Sequence, residues 1–552
     1  MKQICLLFFV SFLLINCKGE KQNTEQSEPG RPNIILILSD DMGYSDLGCY
    51  GGEVETPSLD ALAANGLRFT QFYNGARCCP TRASLISGCY PHQVGIGHMT
   101  NTPNNFTEHD LGIPEYRGFL NRNAVTIGEV MKDAGYATLM TGKWHLGISD
   151  KSKWPLQRGF DKFYGIIPGA SNFFKPTYPR GITYMNDTIS VTDEDYYTTD
   201  AFTDYAIKFI DESAQEEPEK PFFLYLAYTA PHWPMNAPQN VVEKYKGKYM
   251  EGWTKLRETR FARMKEMGII DENWELSDQD SREWDSLDDE KKKEMDVRRA
   301  IYSAMIDQMD QNIGKLVDYL KKEDELDNTL IIFLNDNGAC AEGGELGGGP
   351  AEQLETKEGY FLTYGGAWAN ASNTPYREYK HWVHEGGIGT PFIVHYPNLI
   401  PKEKQGQLVS EYGFLPDLMA TCIDVAQTNY PTEYNGNEII PNAGKSLVPL
   451  FEGENKRIHT EPIFWEHEGN KAVRLGKYKL VSKWNNKRET EWELYDMETD
   501  RTEMNDLAQS MPDKVAEMDK MYSDWATQNN VLPWTEIRKM YREKRNKEKN
   551  EK

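Results

Sequence analysis

The chain has 552 residues, with 85 acidic side chains against 62 basic ones and a formal net charge of −23. Nucleic-acid phosphates are neutralised by basic faces, so this balance excludes a general nucleic-acid partner, although an acidic protein can still focus anions into a locally basic cleft. The length exceeds what one core usually serves and predicts about two domains.

The first 30 residues read as a targeting segment and tether: Lys2, an apolar run from Cys5 to Ile15, then Asn16-Cys17 and a polar stretch to about Gly30. The run is too short to span a bilayer and fits the h-region of an export signal; no later stretch is long and apolar enough to be a transmembrane helix. Leu14-Ile15-Asn16-Cys17 resembles a bacterial lipobox, in which Cys17 would carry the lipid. That implies an exported protein in the periplasm or at the cell surface, touching membrane only through its anchor. Asn16 departs from the usual small residue, and simple secretion with cleavage nearby is the alternative.

From residue 31 to about 453 strands alternate with helices. Asn33 to Ser39 is a continuous apolar run, as expected of a strand buried on both faces, and Ala137 to Thr141, Phe222 to Tyr228, Leu330 to Leu334 and Pro391 to His395 are comparable. Helical patterns lie at 58–65, 125–134 and 298–321, the last with Ile301, Met305, Met309, Ile313, Leu316 and Leu320 on one face. This order predicts an α/β domain whose large, mainly parallel sheet is covered by helices on both sides. Residues 234–295 are charged and punctuated by Trp, an excursion read as solvated helices on the flank in preference to a lid. After about Gly453, short strands at 462–465, 471–475, 478–483 and 490–495 precede a helix near 511–526. They predict a smaller C-terminal α+β domain, 454–552, of antiparallel strands and a helix, ending in a basic tail read as a fraying helix end.

Two of the buried strands end in acidic or amide pairs, Asp40-Asp41 and Asp336-Asn337. Ligands of open α/β sheets bind at that carboxyl edge. Each pair alone also suits a helix cap or a turn. Together, three carboxylates and an amide form a hard oxygen set suited to Ca²⁺, or less well Mg²⁺, and not to zinc; Ca²⁺ accepts ~6–8 ligands, which leaves room for substrate oxygens. Lys143 and His145 follow the strand 137–141, two apart in what reads as an extended segment, so both face one side. A cation and an imidazole beside a bound anion serve charge stabilisation and proton transfer.

Cys78-Cys79-Pro80-Thr81-Arg82 reads as a built anion site. Pro80 suits the first position of a helix running to about Gly88, which puts Cys78 at the helix N-terminus, where free N–H groups favour negative charge. Arg82, one turn in, can reach back over the same spot with a fork of donors.

The segment resembles, position for position, the C-x-P-x-R signature of the type I sulfatases, whose cysteine is oxidised to formylglycine (3-oxoalanine). The register picks Cys78 over Cys79. The resemblance extends in chain order over nearly the whole mature chain. Asp40, Asp41, Asp336 and Asn337 fall where the family carries its metal ligands, and the modified Cys78 joins them. Gly142-Lys143-Trp144-His145-Leu146-Gly147 carries over Lys143 as a sulfate ligand and His145 as partner of the formylglycine hydroxyl. His232 in Tyr228-Thr229-Ala230-Pro231-His232 matches a histidine near the leaving-group oxygen. Lys380, five before Glu385-Gly386-Gly387, matches a sulfate-binding lysine, and His384 is a further candidate for substrate contact. Trp465 to Asn470 is similar to a block of bacterial arylsulfatases and would line the pocket rim.

The resemblance implies an alkaline phosphatase-like fold and a sulfuric ester hydrolase matured by a formylglycine-generating enzyme. In it a hydrated aldehyde attacks sulfur while Arg82 and His145 position the diol. Lys143, Lys380 and the cation stabilise sulfate oxygens, and His232 protonates the departing alcohol. The substrate would be a sulfated small molecule or glycan. A phosphonate or phosphodiester hydrolase of the same superfamily and a non-catalytic glycan-binding surface lipoprotein are the competing readings. With Cys5 lost, Cys17 lipidated and Cys78 modified, five of the eight cysteines remain; an odd number leaves at least one free and implies no dense disulfide framework.

Overall fold

The computed structural model describes residues 31–100, 108–177, 179–485 and 488–550. The targeting segment, with Cys5 and Cys17, lies outside them. Among the described residues no helix is long and apolar enough to cross a membrane.

The larger domain is built on an eleven-stranded sheet. Its strands are β1 (Asn33–Ser39), β2 (Leu67–Tyr73), β3 (Ala137–Lys143), β4 (Lys162–Ile166), β5 (Ile182–Tyr184), β6 (Asp187–Ile189), β7 (Phe222–Ala227), β8 (Thr329–Asn335), β9 (Gly389–His395), β10 (Leu408–Val409) and β11 (Gly413–Phe414). The order is β10-β2-β9-β8-β1-β7-β3-β4-β5-β6, with β11 also on β2. The centre, β8-β1-β7-β3-β4, is parallel as expected. The expected strand near Pro391 runs the other way, antiparallel to both β8 and β2, so the sheet is mixed.

Alternation along β1 explains why its whole sequence is apolar. Ile35 and Ile37 join a core with Leu59, Phe202, Phe209, Met305 and Ile313, under the helices Pro57–Ala64, Thr198–Glu216 and Asp289–Lys322. Ile34, Leu36 and Leu38 face the opposite core, under Cys78–Ser87, Ile127–Asp133 and Asp417–Val425, with Leu85, Met131 and Leu418. The Ile127–Asp133 helix starts at a capping box, Thr126 Oγ1 accepting from Glu129 N while Thr126 N donates to the Glu129 carboxylate.

Residues 234–295 pack on the flank. Trp253, wholly buried, meets Trp284 and Trp368 edge-on at 4.9 and 5.5 Å. Arg260 binds Asp46 (2.9 Å) and Glu53 (2.6 Å) of the main domain. The Lys291 to Lys293 run belongs to the start of a 34-residue helix capped by Asp288, which begins at Asp289, nine residues before the expected start at 298.

After a small hairpin of β12 (Glu433–Tyr434) and β13 (Asn437–Glu438), a separate antiparallel sheet follows the order β14 (Ile463–His467), β15 (Asn470–Leu475), β16 (Tyr478–Ser482) and β17 (Glu493–Asp496). Helix Pro512–Gln528 covers one face through Met518, Tyr522 and Trp525. The other face packs on Tyr73, Val383 and Ile388 of the larger domain. Glu385 is clamped at this seam by Lys479 Nζ (2.9 Å) and Arg501 Nη2 (2.9 Å), all three side chains buried. The tail is a helix, Trp534–Asn550, docked at its start, where Ile537 is buried and the Tyr541 ring packs against His98 and His109, while residues 542–547 are exposed as expected of a helix end in solvent. Six cysteines, Cys49, Cys78, Cys79, Cys89, Cys340 and Cys422, are free and buried.

Candidate active site

Register brings the two strand-end pairs together. Ser39 is the ladder partner of Asn335, so Asp40-Asp41 and Asp336-Asn337 leave adjacent parallel strands at the same level. Asp336 N donates to Ser39 O, Asp41 N to Asp336 Oδ1 (3.2 Å), and Asn337 Nδ2 to Asp41 Oδ1 (2.8 Å). Asp41 is turned back by a left-handed backbone (φ 67°), a conformation uncommon outside glycine and found at functional sites. All four side chains are buried.

The cysteine helix starts at Cys78 itself, with Arg77 as its extended N-cap. Pro80 is therefore its third residue, not its first, and Gly88 ends the helix in a left-handed conformation. Cys78 lies at the helix N-terminus. Arg82, one turn on and wholly buried, donates from Nη2 to Asp336 Oδ2 (2.9 Å) and from Nη1 to the Lys143 carbonyl (3.0 Å). Asp336 thus shares its charge with the arginine that carries the cysteine's helix.

Lys143, the last residue of β3, donates to Asp40 Oδ2 at 2.7 Å. Lys380 donates to Asp41 Oδ2 at 2.9 Å, and its Nζ is 3.3 Å from His232 Nε2. His232 Nδ1 donates to the Trp233 carbonyl (2.6 Å), which leaves Nε2 facing Asp41 and Lys380. Ligand atoms of Asp40, Asp41, Cys78 and His232 all lie within 4.8 Å of one another. His145 reaches the same cluster by a different route from the extended one expected: its backbone is left-handed (φ 59°), and its ring abuts Gly169, where a Cβ would come within 2.7 Å of it.

His384 is not part of this cluster. It is buried at the seam with Nε2 3.4 Å from Glu493 Oε2 of β17, where it cannot serve the expected substrate contact. The residue that sequence reasoning missed is Glu342. It accepts from Trp233 Nε1 (2.7 Å) and pairs with Arg77 (2.9 Å), closing the mouth of the site between the histidine loop and the cysteine helix. Its one sequence signal is its position, six residues past Asp336 in the same strand-end loop.

The residues fit a hard divalent cation. Asp40 Oδ1 and Asn337 Oδ1 are buried oxygens that accept no hydrogen bond from the described residues. Burial and neighbouring Asp336 push the Asp40 carboxyl well up, the strain expected of carboxylates gathered without their counter-charge. Burial would raise Asp41 too, but His232 and Lys380 hold it at about 2. Burial, reinforced by Lys380 and Lys143 and opposed by Asp41, pulls His232 down to about 3 and leaves its imidazole neutral. Burial also pushes the Cys78 thiol up against the pull of Lys143 and Lys380, so the encoded thiol is a poor nucleophile here.

Residues 32–428 match the Sulfatase family, and residues 377–526 match the family described as N-sulphoglucosamine sulphohydrolase, C-terminal. The chain belongs to the sulfatase family. An uncharacterized sulfatase of Schizosaccharomyces pombe is 34% identical over 92% of this chain and 96% of its own length. An arylsulfatase of Klebsiella aerogenes is 34% identical over 76% of this chain and 90% of its own. Among solved structures, Ps i-CgsB in complex with k-i-k-neocarrahexaose superposes with a TM-score of 0.66 at 26% identity, covering 90% of this chain and 93% of that one. The protein is therefore a sulfatase, a hydrolase of sulfated substrates. Its large mixed sheet with a C-terminal antiparallel subdomain is the sulfatase architecture, and the buried cluster of Asp40, Asp41, Cys78 and His232 lies at that sheet's carboxyl edge.

Proposed function

We propose that the protein cleaves sulfate esters of a glycan through a formylglycine derived from Cys78 and a Ca²⁺ ion held by Asp40, Asp41, Asp336 and Asn337. The observation that carries this reading is the placement of Cys78 at a helix N-terminus beside those oxygens and beside His232, with one lysine on each strand-1 carboxylate. Hydrated formylglycine supplies the oxygen nucleophile that a thiol cannot, and a bound cation supplies positive charge for the sulfate oxygens.

The chain's own residues do the rest. Arg82, fixed by Asp336, and His145 hold the nucleophile in place. Lys143 and Lys380 bind sulfate oxygens and offset charge as the ester bond breaks. His232, its Nδ1 proton committed to Trp233 O, is unprotonated at Nε2 in the free enzyme; once it takes up a second proton there beside the bound sulfate, it passes that proton to the departing alcohol and returns to the neutral form. The glycan reading is supported by the hexaose in the Ps i-CgsB complex and by the sulphohydrolase C-terminal match. The test is sulfate release by the matured enzyme from defined sulfated oligosaccharides, alongside phosphate release from matched esters. No release from any sulfated sugar, or a strong phosphate preference, would overturn it.

We also propose export as a Cys17-anchored lipoprotein, with a formylglycine-generating enzyme as maturation partner. The lipobox-like segment supports the anchor. Labelled fatty acid should enter the wild type and not Cys17→Ser; equal labelling would count against it.

A further inference from the structure

Among the described residues, three large apolar side chains are more than a third exposed: Met250 (38%), Tyr360 (51%) and Phe361 (39%). Two of them are consecutive and stand at the mouth of the active site. The Trp233 ring, 4.7 Å from the His232 ring, meets Phe361 edge-on at 4.9 Å and Tyr360 at 5.9 Å. Arg180 lies over the Tyr360 face at 5.2 Å.

This exposure is built. Asn172 Nδ2 donates to the carbonyls of Lys357 and Gly359 (both 3.2 Å), and Asn236 Nδ2 donates to those of Thr356 (3.4 Å) and Glu358 (3.2 Å). Leu362, next in the chain, is wholly buried and accepts from Met235 N. Two side-chain amides and a core leucine thus hold open to water two rings whose burial would be favourable. Exposed apolar patches of this kind mark binding sites.

We propose that Trp233, Phe361 and Tyr360 form a ring-stacking wall for the leaving group, and that its occupant is the pyranose ring bearing the sulfate. The wall continues outward from His232, the residue nearest the departing oxygen in the proposed mechanism. The mouth is not purely apolar: Glu342 joins Trp233 Nε1 to Arg77, and Arg180 caps Tyr360. A pyranose has an apolar C–H face for the rings and a hydroxyl edge for the ion pair, whereas a plain aryl group would use the rings alone. This assignment rests on the sulfatase reading above.

The test compares matured wild type with Tyr360→Ala/Phe361→Ala on sulfated mono- and disaccharides, 4-nitrophenyl sulfate and a short alkyl sulfate, which has no ring. The double variant should lose about tenfold or more in kcat/KM on the sugar sulfates relative to its loss on the alkyl sulfate, mostly through KM. Tyr360→Phe/Phe361→Tyr should restore the sugar activity. Titrating Cys78→Ala with a sulfated monosaccharide should change Trp fluorescence, and the change should weaken in the triple variant. Equal losses on sugar and alkyl sulfates, or a selective loss confined to 4-nitrophenyl sulfate, would overturn the proposal. Wild type that releases sulfate from none of these esters would instead sink the sulfatase mechanism, a separate outcome.

Discussion

Lys143 Nζ donates to Asp40 Oδ2 at 2.7 Å where neither side chain has any solvent exposure. Lys380 stands in the same relation to Asp41 at 2.8 Å. Each lysine proposed to bind a sulfate oxygen is thus engaged on a carboxylate proposed to bind the cation. An ion that takes over Asp40 and Asp41 would free both ammonium groups for an anion, so the proposed metal and sulfate sites would be coupled through shared side chains.

The first expectation is therefore a large stabilisation by metal. Ca²⁺ at about 100 times its dissociation constant should add ~2.7 kcal/mol to unfolding. In thermal denaturation, chelator-treated protein should melt lower, recover with Ca²⁺, and lose the response in Asp40→Asn. Identical melting with and without Ca²⁺ would count against the ion site.

Cys78 and Cys79 are both buried, but only Cys78 faces the carboxylates. Cys78→Ala should lower sulfate release by about 10³-fold or more, as loss of a nucleophile does. Cys79→Ala should retain it. The wild-type peptide spanning residue 78, made in a host with the maturation enzyme, should weigh less than encoded by the difference between a thiol and an aldehyde. An unmodified peptide in fully active protein would refute the chemistry.

If His232 serves the leaving group, His232→Ala should depend on what leaves. General-acid assistance is worth about 10²–10⁴-fold. That loss should appear with sugar sulfates, whose alkoxides are strongly basic, and shrink with 4-nitrophenyl sulfate, whose phenolate departs unaided. Equal losses on both would assign His232 to sulfate binding alone.

Burial alone would push Glu385 up, but Lys479, Arg501 and Arg474 hold it down to about 2. A carboxyl with a lowered folded value contributes stability that is complete above its ordinary value near 4.5 and drains away as pH falls towards 2. Glu385→Gln should cost about 3–5 kcal/mol at neutral pH, because it leaves the buried Arg501 without its carboxylate, while Lys479 keeps Glu503. It should also flatten the fall in stability below pH 4.5. Urea denaturation across pH checks both, and an unchanged acid slope would remove Glu385 from the account.

The parallel core was legible because β1, β3, β7 and β8 are buried on both faces and read as unbroken apolar runs. Their carboxyl ends then located the pairs Asp40-Asp41 and Asp336-Asn337. β2, Leu67–Tyr73, carries Arg68, Thr70 and Gln71 and gave no such signal; it is held by neighbours distant in sequence, β9 and the short β10 and β11. β9 read as apolar, yet its direction depends on chain connections that composition does not encode. His145 was found for an incomplete reason, since its left-handed turn cannot be read from spacing. His384 looked like a ligand because it neighbours Lys380, but Glu493, more than a hundred residues on, claims it. Tyr541 docks where a run of charge suggested a free end, because the partners His98 and His109 are far away in the chain.

The seam around Glu385 sets an order of events. Its partners Lys479, Arg501 and Glu503 lie 94, 116 and 118 residues further along the chain, and Lys380 lies on the same short loop. The loop that carries Lys380 is thus locked only after residue 503 has been made, and Cys78 is 2% exposed in the folded chain. A maturation enzyme of the kind proposed above, which would have to grip the chain around Cys78, would have the interval before that closure in which to act, and little access once β16 and the residues after it are in place.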